Sequence, residues 1–348
     1  MKRWLAAFSA VIAFAPLSLL LHGQVDNGYH LRVDSRLIET TVIVRDAKGV
    51  PVTGLPQTAF HISEDGASQT VRYFASQREL PLSIGLIVDA SGSQDTFVKE
   101  HEKEIEVFLR EVMEPRDHAF VICFGNRLRL TSDWSSSPQE ILNGITRFNK
   151  GDRDFPELGP QEERKLGTAL FDAIYFPISE RMAAEHGRRR VLIVLSDGEE
   201  NSSEHDFVDA VTAAQGADTL VYAVRTTEHK SRRMDARDRY GERALDHMTE
   251  ATGGRAFDAH AQSAKSIFAS IAADLRSMYE IGYYSTNSDR TPTFRKVTIA
   301  VDGDGLTVQS RAGYVSHCGA LLGAKLASQS ACIANEVGNP NTAVAVAQ

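Results

Sequence analysis

Four short runs rich in apolar and β-branched residues recur through the middle of the chain, at residues 82–88, 119–124, 191–195 and 219–224. Such a run is the mark of a strand buried on both faces. Helical stretches separate or follow them: 97–114, a segment opened by Ser137-Pro138-Gln139-Glu140, 166–184, 207–215, 245–252 and 264–278. In 166–184, Leu170, Ile174 and Ile178 fall on one stripe. Repeated strand-then-helix order requires right-handed crossovers. The prediction is an α/β fold: a doubly wound, mostly parallel sheet with helices on both faces.

On either side of this core the language is that of strands and hairpins. Residues 37–45, 60–63 and 70–74 precede it, with turns at Asp46-Ala47-Lys48-Gly49 and Glu64-Asp65-Gly66. Residues 279–285, the alternating Val297, Ile299 and Val301, and 306–309 follow it. Left alone, each flank would expose an apolar face, so the two are expected to pair with each other in a small β subdomain. The expected organisation is a signal peptide at 1–23, an N-terminal β segment at 31–80, the α/β domain at 82–278, C-terminal strands at 279–315 and a disordered tail at 316–348.

The amino terminus reads as an export signal. Met1-Lys2-Arg3-Trp4 supplies positive charge, and residues 5–21 are apolar apart from Ser9 and Ser18, with Pro16 breaking the run. That run falls short of the roughly 20 residues needed to span a bilayer, which favours cleavage over a retained anchor. The expected location is periplasmic or secreted, with membrane anchoring as the alternative. In such a compartment Cys318 and Cys332 are either disulfide partners or two free thiols. Cys123 sits in an apolar run and reads as a small buried hydrophobe.

The chain has 348 residues and net charge -8. That acidity argues against broad nucleic-acid binding, which depends on Lys and Arg neutralising phosphates. The compact basic run Arg188-Arg189-Arg190 is expected to be a solvated helix-to-strand corner.

The chemistry gathers where buried strands end. Asp89-Ala90-Ser91-Gly92-Ser93 follows the first strand, placing Asp89, Ser91 and Ser93 at alternate positions of one tight loop. Thr168 follows Gly167, and Asp197 ends another strand in Leu195-Ser196-Asp197-Gly198. Singly, Thr168 could be a helix cap and Asp197 a turn former. Jointly they offer hydroxyl and carboxylate oxygens at the carboxyl edge of a sheet, where α/β folds bind ligands. Magnesium takes compact oxygen coordination and keeps several waters, so a few carboxylates with hydroxyls suit it.

These residues resemble the metal-ion-dependent adhesion site of the von Willebrand factor type A domain. The resemblance spans roughly residues 82–278 and implies a magnesium or manganese ion held directly by Ser91, Ser93 and Thr168. Asp89 and Asp197 would then act largely through water, and a carboxylate from a partner would complete the shell. Gln94 stands where many relatives carry Met, a position that is not a ligand. The segment from Asp46 to Leu55, Phe60 with Glu64-Asp65-Gly66, and Arg311-Ala312-Gly313-Tyr314 are similar to an exported subfamily common in Acidobacteria.

The expected function is a non-enzymatic, exported binding module that grips an Asp or Glu carboxylate on a protein partner through the cation. One alternative is a metal-dependent hydrolase; against it, the chain carries no G-x-S-x-G turn, no H-E-x-x-H and no P-loop. The other is a scaffold whose metal only stabilises loops. Glu199 and Glu200 are expected to form a solvated acidic turn or to tune ligand orientation.

Overall fold

The computed structural model describes residues 37–76, 80–91, 95–159, 167–226, 236–289, 291 and 293–316, with the backbone alone for 95–101 and 236–238. The export segment, Ser93, Gln94, Cys318, Cys332 and the tail beyond Ser316 lie outside them. All the described residues belong to one compact unit, Ser35–Gln348.

In chain order the elements are β1 (Leu37–Arg45), β2 (Phe60–Glu64), β3 (Ala67–Gln69), β4 (Val71–Ser76), β5 (Leu82–Asp89), α1 (Asp95–Val112), β6 (His118–Phe124) and β7 (Leu128–Ser135). There follow α2 (Pro138–Asn149), β8 (Glu157–Leu158), α3 (Leu170–Glu180), β9 (Arg189–Ser196), α4 (Phe207–Gly216), β10 (Thr219–Arg225) and α5 (Ala236–Thr252). Last come β11 (Ala256–Asp258), α6 (Ala264–Leu275), β12 (Tyr279–Tyr284), β13 (Phe294–Val301), β14 (Thr307–Ser310) and β15 (Gly313–Val315).

The central sheet has seven strands in the order β11-β10-β9-β5-β6-β7-β8. The pairs from β11 to β6 are parallel, and β7 and β8 add an antiparallel edge. Because β5 is buried along its whole length, its side chains feed two cores. Leu86 and Val88 pack with Phe108 of α1, Ile145 of α2 and Phe268 of α6. Ile87 points the other way, into a cluster with Ile174 of α3, Ala210 of α4 and Leu245 of α5. Each such aliphatic side chain contributes about 1.5–3 kcal/mol of burial, so the sheet holds together through its strands and not through its loops. This is the doubly wound, mostly parallel α/β fold expected from the strand-and-helix order.

The β flanks pair with each other. β12 lies between β1 and β4 in the antiparallel sheet β14-β1-β12-β4, and β13 lies between β15 and β2 in the sheet β15-β13-β2-β3. The ladder from Leu37↔Tyr284 to Val42↔Tyr279 joins the two ends of the α/β segment. Val42, Ile62, Tyr279, Tyr283 and Val297 share one core, so each flank covers the apolar face of the other.

Several details differ from expectation. The helix predicted for 166–184 begins at Leu170 and ends at Glu180, leaving Thr168 in the loop ahead of it. The helix predicted for 245–252 starts at Ala236. The arginine run is no solvated corner. Arg189 is buried and pairs with Glu280 of β12 at 3.7 Å, while Arg188 donates to the Leu82 carbonyl at 2.7 Å and the Arg116 carbonyl at 2.9 Å.

Candidate functional site

Parallel pairing sets the site. Asp89 ends β5 opposite Phe124 of β6, and Val88 stands opposite Leu195 of β9. The loops after β5, β6 and β9 therefore leave the same edge side by side. Backbone bonds stitch them together: Ala90 N–H donates to the Phe124 carbonyl at 2.7 Å, and Ala169 N–H donates to the Gly125 carbonyl at 3.1 Å. Phe124 and Gly125, adjacent at the end of β6, thus hold the Ser91 loop and the Thr168 loop respectively.

Asp89 is 1% exposed. Its Oδ2 accepts from Ser196 Oγ at 2.6 Å, and its Oδ1 accepts from the Ser91 N–H at 2.9 Å. Burial pushes its pKa up to about 6; hydrogen bonds from Ser196 and Ser91 oppose the rise, and the neighbouring Asp197 carboxylate adds to it. Asp197 leads the adjacent loop, and its Oδ1 accepts from the Glu199 N–H at 2.9 Å.

Thr168 is held by a reciprocal pair of bonds. Its N–H donates to Asn201 Oδ1 at 2.8 Å, and the Asn201 N–H donates back to its carbonyl at 3.1 Å. The residue before it must be glycine. Gly167 has φ +133°, and a Cβ there would stand 2.3 Å from Asn201 Oδ1. Gly167→Ala is expected to destabilise the protein by about 1–3 kcal/mol through backbone strain alone. It should also displace Thr168, so a thermal melt and a metal titration are both expected to show a loss.

The loop from Asp197 is anchored to the start of α3, which Thr168 precedes. Glu200 accepts from the Phe171, Ser202 and Ser203 N–H groups, each at 2.9 Å, and from Ser203 Oγ at 2.6 Å. Buried Asp172 accepts from the Glu204 and His205 N–H groups at 3.0 Å and from His205 Nδ1 at 2.8 Å. Glu200 is therefore an internal cap and not part of a solvated acidic turn, whereas Glu199 lines the cleft.

That cleft measures about 730 Å³, and Ser91, Gly125, Asn126, Thr168, Glu199 and Asn201 are among its lining residues. Asp89, Ser91, Thr168 and Asp197 lie at one edge of the sheet; Ser93 lies outside the described residues. Sequence reasoning missed Ser196, which orients Asp89, and Asn201, which orients Thr168. Ser196 stood in the quoted Leu195-Ser196-Asp197-Gly198 segment, so its place beside a strand-end carboxylate was the available signal.

The donor set fits a hard divalent cation. Its atoms are hydroxyl and carboxylate oxygens, and Asp89 is a buried acid whose ionised form is disfavoured until a positive charge arrives. Among the described residues no group of three or more His, Cys, Asp or Glu side chains could hold a metal.

No family model matches the chain. No curated protein matches it either. Among solved structures, a von Willebrand factor type A protein from Catenulispora acidiphila is 10% identical with TM-score 0.43, covering 81% of this chain and 75% of that one. An aerotolerance-related membrane protein from Bacteroides fragilis NCTC 9343 is 18% identical with TM-score 0.40, covering 56% and 98%. Proximal thread matrix protein 1 from the mussel byssus, in a structure with a zinc-occupied MIDAS motif, is 13% identical with TM-score 0.39, covering 58% and 49%. None of them assigns a role to any residue of this chain.

Proposed function

We propose that the protein is an exported, non-enzymatic binding module of von Willebrand type A character. Asp89, Ser91, Ser93, Thr168 and Asp197 would hold magnesium or manganese, and a partner's Asp or Glu carboxylate would complete the shell. The observation that supports this reading is a buried, hydrogen-bonded Asp89 at the strand end beside Ser91 and Asp197, with Thr168 lining the same cleft as Ser91. Neutral hydroxyls in direct contact leave most of the cation's charge uncompensated. A carboxylate entering the cleft would then gain a charge-assisted contact in a partly desolvated setting, where attraction is stronger than in water.

Calorimetric titration with magnesium and manganese tests the ion. Wild-type protein is expected to bind at least one, and Asp89→Ala and Thr168→Ala are expected to lose at least tenfold in affinity, about 1.4 kcal/mol. Unchanged affinity in both variants would overturn the site. Capture of partners from the cell envelope is expected to need the cation and to fail with chelator. Hydrolysis of esters or phosphoesters that depends on magnesium and on Asp89 would instead establish an enzyme. Among the described residues no helix is long and apolar enough to cross a membrane; export is tested by locating the protein in cell fractions.

A further inference from the structure

The cleft that carries the proposed cation ligands is also lined by two arginines that this reading leaves unused, Arg129 and Arg153. Arg129 lies on β7 opposite Cys123 of β6, which in turn stands opposite Val88 of β5. Two strand spacings, about 10 Å, therefore separate Arg129 from the strand that ends in Asp89.

Arg153 follows α2, and its guanidinium lies over the Phe148 ring, 4.0 Å from the centroid. Its Nη1 donates to the Phe148 carbonyl at 2.6 Å and the Asp152 carbonyl at 2.9 Å, which fixes the group's direction. Phe148 lines the cleft too.

Charge on this side is unbalanced. Glu157 takes Arg127 at 3.0 Å and reaches Arg129 at 3.7 Å. Glu157 is thus shared by two guanidinium groups, while Arg153 bonds to backbone carbonyls and to no carboxylate among the described residues. Among the described residues Arg129 Nε is buried with no acceptor. Burial lowers the Arg129 pKa, against the pull of Glu157. A buried donor left unmade is costly, and an anion in the cleft that Arg129 lines would supply the guanidinium with a further acceptor. Glu199, also in the lining, repels an anion that comes close to it.

We propose that Arg129 and Arg153 form a second, anion-binding subsite, so that the partner is held by an extended segment bearing two acidic side chains, one at the cation and one at the arginines. The first anchor rests on the cation reading above; the second rests on the arginines. An extended chain advances about 3.4 Å per residue and alternates sides, so acidic residues two apart point the same way about 7 Å apart. The reach of their side chains covers the rest of the 10 Å step. Phe148 offers the intervening chain an apolar wall.

Three peptides test this by calorimetry in magnesium at low salt: acetyl-Glu-Gly-Glu-amide and the two single-acid forms in which one Glu becomes Gln. The diacid is expected to bind wild-type protein about tenfold more tightly than either single acid, one charge-assisted contact's worth. That advantage should fall below about twofold in Arg153→Gln and Arg129→Gln and survive in Arg129→Lys, with magnesium affinity unchanged in each. Arg153 is exposed, so Arg153→Gln decides the matter should Arg129→Gln fail to fold. Equal binding of diacid and single acids, or an advantage that persists in Arg153→Gln, overturns the subsite. If chelator leaves peptide binding unchanged while the arginine-dependent advantage remains, the cation reading fails and the subsite stands.

Discussion

Glu64→Ala is expected to lower the unfolding free energy by about 3–5 kcal/mol, the usual loss when one partner of a buried ion pair is removed. Glu64 ends β2 and is 2% exposed. Its Oε1 accepts from Ser285 Oγ at 2.5 Å and Arg295 Nη1 at 3.2 Å, and its Oε2 accepts from the Tyr283 hydroxyl at 2.8 Å and the Tyr314 hydroxyl at 3.0 Å. One carboxylate from the first flank thus gathers β12, β13 and β15 from the second. Burial and the Glu64 charge push the Tyr283 hydroxyl far above its ordinary pKa, so it stays protonated and remains a donor. Alanine leaves the Arg295 guanidinium buried without its counter-charge. If that is the cause, Glu64→Gln with Arg295→Met should lose less than Glu64→Ala alone, because no orphan charge remains. Urea denaturation of the three variants decides it, and a loss below about 1 kcal/mol for Glu64→Ala would rule out the network as the tie between the flanks.

This network shows what a sequence motif does and does not disclose. Glu64-Asp65-Gly66 and Arg311-Ala312-Gly313-Tyr314 were legible as signatures, and their work is structural. Asp65 and Gly66 both have positive φ, at 49° and 82°, as a two-residue turn between β2 and β3 demands. Arg311 is buried, and its guanidinium donates to the Glu39 carbonyl of β1. Strands were legible because burial on both faces leaves an unbroken apolar run, as in β5 and β9. Asp89 and Asp197 were legible for the complementary reason: a carboxylate directly after such a run must face the sheet edge. Partners distant in sequence were not. Ser196 meets Asp89 and Asn201 meets Thr168 only because parallel strands bring their loops together. The Arg188–Arg190 run misled for the same reason, since the carboxylate that lets Arg189 be buried is on β12. β8, β11 and β15 span two or three residues each, too short for any periodicity to register.

The sharpest test of the cation reading uses protein without metal. Asp89 titrates at about 6 in the fold, against an ordinary value of 3.8. Its ionisation therefore opposes folding. Below the ordinary value both states are protonated and the cost is absent; it grows as pH rises through the window between the two values and is complete above about 6. At roughly 1.4 kcal/mol per pH unit, the full cost is about 3 kcal/mol. Asp89→Asn removes the charge while keeping an acceptor for the Ser91 N–H, so in chelator it is expected to be more stable than wild type by up to about 3 kcal/mol at pH 7.5. The gain should shrink as pH falls through the window and disappear near pH 4. Magnesium should reverse the order at neutral pH. It binds the ionised acid and stabilises wild type in proportion to occupancy, and it does little for Asp89→Asn. Wild-type magnesium affinity should correspondingly fall by up to about tenfold per unit as pH drops below 6. Denaturant unfolding of both proteins from pH 4 to 8, with chelator and with magnesium, reads all of these outcomes at once. A gain independent of pH would mean that Asp89 is not the titrating group, and stability indifferent to magnesium in both proteins would remove the reason for a buried acid at this strand end.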